Sequence, residues 1–181
     1  MSRLVIYPDQ QPDQVQIETA LALEISELLA DYGIVFKQRA WQGDVDALLM
    51  DKEAQSNIKR DIVPLDRQHQ FPFQSLIVID QNYPNYDSLR LKYLSEFSVN
   101  KDEILYLLEG RLLLSFHSGG QVIQLLCQAG DLLITPAGIN HWLDIGEASE
   151  RLSMMFCKQQ EQESILNYSG SNIADLFERL A

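Results

Sequence analysis

Two side chains in this sequence stand where proton-transfer or metal chemistry could be built, Glu103 and His141. His141 closes the run Gly130-Asp131-Leu132-Leu133-Ile134-Thr135-Pro136-Ala137-Gly138-Ile139-Asn140. That order predicts a strand opened by Gly130, a tight turn at Pro136 and Gly138, and a new strand beginning at His141. Glu103 opens an apolar run that stops at Gly110. A carboxylate and an imidazole brought together supply oxygen and nitrogen donors for a first-row divalent metal or a bound ligand. The alternative is a buried carboxylate–imidazole pair kept satisfied by hydrogen bonding. Two protein ligands are fewer than the three or four that zinc and iron sites use.

Other donors are sparse. The chain has 3 histidines, so two remain beside His141. His69 falls in a polar segment and is expected in a surface loop. His117 precedes Ser118-Gly119-Gly120 and is expected as a partly exposed hairpin residue. Cys127 and Cys157 lie in apolar strand-like runs, as buried thiols do, and Cys127 has no partner at ligand spacing.

The elements that must position these residues can be read from periodicity. Arg3 to Tyr7 predict a strand closed by Pro8. Ile17, Leu21, Ile25, Leu28 and Tyr32 recur at helical steps, with Thr19 as a candidate N-cap and Gly33 as a stop. Residues 34–36 predict a strand. Residues 44–61 predict a helix burying Val45, Leu48, Leu49 and Ala54, and 74–79 another strand. Asn82, Pro84 and Asn85 form a turn, after which Asp87 caps a short helix carrying Leu89, Tyr93 and Leu94. From residue 96 short β-rich runs follow one another at 103–108, 111–117, 121–127, 130–135, 141–145 and 151–157, punctuated by glycines. That texture predicts an antiparallel sandwich or barrel. The tail from Glu161 is expected to be helical, with Ile173, Leu176, Phe177 and Leu180 on its apolar face. The economical reading is one domain over 1–181, with 1–95 packed on a core of 96–157 and a tail helix in 158–181.

With 46 % hydrophobic residues in 181, the chain can bury a core without a disulfide or structural metal. A net charge of −12 repels phosphate backbones and anionic lipid, which argues against nucleic-acid and membrane partners. No run reaches the ~18 apolar residues of a membrane span, and the N-terminus lacks a signal-peptide core, so a cytoplasmic location is expected.

The run from Gly130 to His141 matches G-x5-P-x-G-x2-H, the second cupin motif, and Glu103 and Gly110 fit the first, H-x-H-x3-E-x6-G. Nearly the whole chain resembles the acireductone dioxygenase family. The resemblance lies in Leu94 to Gly110, the Pro136-Ala137-Gly138-Ile139-Asn140-His141-Trp142-Leu143-Asp144-Ile145-Gly146 segment, and Tyr168 to Ala174. The Trp41-Gln42 pair, the N-terminal helix and the helix at 87–95 share it. It implies a mainly β fold with flanking helices, a cupin-like antiparallel β-barrel of jelly-roll type. It also implies a metal-dependent dioxygenase of methionine salvage, with Fe(II) or Ni(II) held by three histidines and a glutamate. Residue by residue, Glu103 and His141 carry over as metal ligands. The other two ligand positions are Phe97 and Val99, expected to line the pocket, and the family's arginine position is Leu105. Asp102 and Asp144 each neighbour an inward residue, so strand alternation points them outward. Three functions stay open: an active dioxygenase with an altered site, a non-catalytic cupin binding a small molecule in the barrel, or a regulatory or partner subunit. No cofactor at all goes with the last two.

Overall fold

Alternating apolar side chains on short, turn-bounded segments fold into two stacked antiparallel sheets. The computed structural model describes residues 1–147 and 150–180. In chain order the elements are β1 (Arg3–Pro8), β2 (Ile17–Thr19), α1 (Ala22–Ala30), β3 (Val35–Gln38), α2 (Val45–Met50), α3 (Lys52–Ile62), β4 (Phe73–Ile79) and α4 (Tyr86–Tyr93). There follow β5 (Phe97–Ser98), β6 (Glu103–Glu109), β7 (Arg111–Ser118), β8 (Gln121–Gln128), β9 (Asp131–Thr135), β10 (Asn140–Asp144), β11 (Leu152–Lys158) and β12 (Asn167–Tyr168). One sheet runs β12-β5-β10-β7-β8-β1-β2 and the other β3-β9-β6-β11-β4.

The strand β6 explains why the layers stack. Leu105 and Leu107 enter the core between the sheets with Leu4, Ile6, Leu114 and Leu125. Ile104, Tyr106 and Leu108 face the other way, against Val45, Leu48, Ile62 and Phe71 from α2, α3 and the segment after them. Both faces of this strand are covered, so it reads as a continuous apolar run. A third cluster covers the far side of the larger sheet, where Ile173, Ala174 and Phe177 pack on Val5, Tyr7, Val122 and Trp142.

The motif glycines are held by close backbone approaches. Gly110 has φ +82°, and a Cβ there would meet the Arg151 carbonyl oxygen at 2.5 Å. Gly130, at φ +95°, leaves the same room for the Arg39 carbonyl, 2.7 Å from where a Cβ would stand. Only glycine accepts both the backbone angle and the contact.

Several local expectations are corrected. Ile17 does not share the face of α1: it lies on β2, opposite Ile6. Thr19 ends that strand, and the helix N-cap is Leu21. The helix expected over 44–61 is two helices, because Asp51 is extended and its carboxylate caps the Ala54 N–H at 2.9 Å. Leu49 is 38 % exposed on the outer side of α2, so it is not one of its core residues. α4 starts after a left-handed Asn85, with Asp87 inside its first turn. Residues 1–95 contribute β1 to β4 to the two sheets. The tail is not an α-helix: it forms β12 and one 3-10 turn over Ile173–Leu176, and Leu176 is exposed. Among the described residues no helix is long and apolar enough to cross a membrane.

Candidate functional site

Register carries Glu103 and His141 to one end of the space between the sheets. Glu103 pairs with Thr135, the last residue of β9. The chain then turns through 136–139 into β10, where His141 pairs with Phe97 of β5. The turn is pinned from two sides: the Gly138 N–H donates to the Val99 carbonyl at 2.8 Å, and the Ala137 N–H donates to Asp102 at 2.9 Å. A cavity of about 260 Å³ opens there, lined by Phe97, Glu103, Leu105 and His141 together with apolar side chains from β4, β10 and β11.

The His141 ring is fixed. Its Nδ1 lies 2.9 Å from the Ile139 carbonyl, which can only accept, so Nδ1 carries a proton. In the neutral ring the lone pair then sits on Nε2. Burial pushes the imidazole pKa down and outweighs the Ile139 bond and the Glu96 charge, which push it up. The Phe97 ring lies against it, with centroids 4.4 Å apart and planes tilted by 58°.

Glu103 accepts a hydrogen bond from the Ser164 hydroxyl at 2.9 Å. Burial raises its pKa, and Ser164 and Lys158 offset this only in part. A carboxyl whose folded-state pKa is raised confers most stability below the unfolded value. It loses that contribution as pH rises through the folded value. Glu103→Gln is therefore expected to raise the urea midpoint at about pH 7, with the gain shrinking as pH falls toward the unfolded glutamate value of about 4.3. A gain that is largest in acid would contradict this account of Glu103.

The remaining sequence candidates are placed as follows. Phe97 is 2 % exposed and lines the cavity, and Leu105 lines it too. Val99 is as deeply buried but is not among the cavity-lining residues. Asp102 points away from the cavity and pairs with Arg67. Asp144 also points away, yet it is buried rather than outward in solvent, because α4 and the tail cover that face. His69 is exposed. The two thiols are free and buried, and burial pushes Cys157 up to about 12.

Two groups were not anticipated. Lys92, Lys158, Glu163 and Ser164 also line the cavity, Ser164 from a stretch that helical spacing had claimed. On the outer face of the larger sheet, Glu96 is 2 % exposed and accepts from His117 Nδ1 at 2.5 Å and from the Ser169 hydroxyl, while Asp9 approaches His117 Nε2 at 3.3 Å. These residues come from four separate segments, so no spacing could have joined them.

A mainly β, two-sheet jelly roll with a glutamate and a histidine at one end of its cavity, and with Gly110 and Gly130 bounding the far ends of β6 and β9, is a cupin. The model of the ARD/ARD' family matches residues 3–164, and the chain belongs to that family. The acireductone dioxygenase of Serratia proteamaculans (strain 568) is 32 % identical over 189 residues, covering 99 % of both chains. That of Yersinia pestis (strain Pestoides F) is 33 % identical over 184 residues and the full length of each. Among solved structures, acireductone dioxygenase from Bacillus anthracis, with a cadmium ion in its active centre, has a TM-score of 0.71 at 12 % identity. The match covers 93 % of this chain and 98 % of that one, a likeness of fold.

Proposed function

We propose that this family member binds a small molecule in the barrel cavity and does not carry out the dioxygenase reaction for which its relatives are named. The contact between Phe97 and His141 carries this reading. The resemblance assigns position 97 to a ligand imidazole, and a phenyl ring stands there, 4.4 Å from the imidazole that remains. Phe97 and Val99 have no donor atom. Among the described residues no group of three or more His, Cys, Asp or Glu is disposed to hold a metal ion. The donors at the cavity therefore do not fit the three-histidine, one-glutamate set through which Fe(II) or Ni(II) would be retained. Leu105 leaves the place of the family's arginine without charge, so an anionic methionine-salvage substrate would lack the guanidinium that the resemblance implies there. What the residues can do is enclose an apolar body and meet a polar group with Glu103, His141 and Ser164, as ligand pockets do.

The test loads the purified chain with Ni(II) or Fe(II), dialyses it, and follows both metal content and oxygen uptake with acireductone. Substoichiometric metal and a rate equal to that of metal in buffer are expected. About one retained equivalent per chain, with an oxygen uptake lost in Glu103→Ala, would overturn the proposal.

A further inference from the structure

The charged side chains that line the cavity gather at one end. Along β10 its lining residues run His141, Leu143, then Ile145 at the strand's end, and along β11 they run Lys158, Phe156, Met154. Register sets the two polar ends together, since Cys157 pairs with Ile104 beside Glu103, and Glu103 lies at the turn that leads to His141. At about 3.3 Å per strand residue, the four steps from His141 to Ile145 span roughly 13 Å. The polar end also holds a buried imidazole acceptor without a protein partner. His141 is 3 % exposed, its Nδ1 is committed to Ile139, and among the described residues nothing donates to Nε2. Glu103 beside it takes the Ser164 hydroxyl on Oε1.

We infer that the cavity takes an elongated, uncharged aliphatic molecule ending in a single hydroxyl, which donates to His141 Nε2 while the chain lies along Leu143 and Ile145. This rests on reading the cavity as a ligand site without metal. The charges at the polar end select the head group. Glu103, Glu163, Lys92 and Lys158 give that end two acids and two cations, so neither a carboxylate nor an ammonium head meets a net counter-charge there. Burying an ion without a net counter-charge costs more than burying a hydroxyl that finds an acceptor.

Titration calorimetry of the native chain with 1-octanol, octanoate and octylammonium near neutral pH tests this. The alcohol is expected to bind about tenfold or more tightly than either ion. His141→Phe should weaken octanol by about tenfold. Leu143→Trp, which fills the apolar end, should abolish octanol binding with the fold retained by circular dichroism. Preference for either ion, or unchanged octanol affinity in folded His141→Phe, overturns this inference and leaves the ligand-site reading standing. Failure of all three probes to bind the native chain overturns both.

Discussion

Phe97→His combined with Val99→His is expected to raise nickel affinity by about a thousandfold, or ~4 kcal/mol. The reason is that the backbone frame of a cupin metal site is intact while two of its donors are hydrocarbon. Gly110 and Gly130 keep their close backbone contacts, and the Gly138 N–H still ties the turn to Val99. Phe97 lines the cavity beside Glu103 and His141, so Phe97→His alone should supply the larger share. Val99 is buried without lining it, and its replacement should add less. Turnover should lag behind binding, because Leu105 still offers no charge to an anionic substrate. Calorimetry with Ni(II) on the single and double variants checks the order. A folded double variant that binds nickel no better than its parent would mean that the strands bearing these positions do not converge as the register implies.

Asp144→Ala is expected to destabilise the fold by about 3 kcal/mol, the lower end of what breaking a buried ion pair costs, because Arg90 keeps some contact with water. Asp144 is 1 % exposed. Its carboxylate takes the Arg90 guanidinium at 2.7 and 3.0 Å and the N–H groups of Gly146 and Leu180, each at 3.0 Å. Arg90 in turn donates to the Leu180 carbonyl at 2.9 Å. Alanine leaves a partly buried cation, a quarter exposed, and frees the end of the tail. Burial alone would raise the Asp144 pKa, but Arg90 and the two N–H groups prevail and hold it below the usual value. Its contribution is thus present above the unfolded aspartate value and lost as pH falls through the lower, folded one. The urea midpoints of native and variant chains should converge below about pH 4. A difference constant down to strongly acid pH would assign the loss to packing instead.

The barrel strands were legible because two signals agreed. From Glu103 to Lys158 each apolar run is bounded by a glycine or a turn, and β6 to β11 fall within a residue or two of the runs expected. Elsewhere periodicity alone misled. Ile17 sits at a helical step from Leu21, yet its partner is Ile6 across a sheet. The apolar spacing of the tail imitates a helix, but Ile173, Ala174 and Phe177 bury on Trp142 and its neighbours through a single 3-10 turn. Site residues followed the same division. Glu103 and His141 could be found from fixed spacing around a turn, whereas the Glu96 cluster depends on contacts 21 to 108 residues apart. Asp144 shows a third limit: alternation turned it away from the cavity, but what covers the other face is decided by distant chain.

The two-sided burial of β6 carries a consequence for the chain before it folds. Ile104-Leu105-Tyr106-Leu107-Leu108 is uncharged, rich in β-forming side chains and free of proline, the make-up of segments that self-associate as stacked strands. Until α2, α3 and the facing sheet close over it, both of its faces are sticky. Glu103 and Glu109 bracket that pentapeptide and act as gatekeepers, since repulsion between their carboxylates opposes in-register stacking of one nascent chain on another. Glu103 thus has opposite effects in the two states of the chain. Its carboxylate is a penalty once buried and a safeguard while the polypeptide is still open, so Glu103→Gln should yield a sturdier protein that aggregates more readily during refolding.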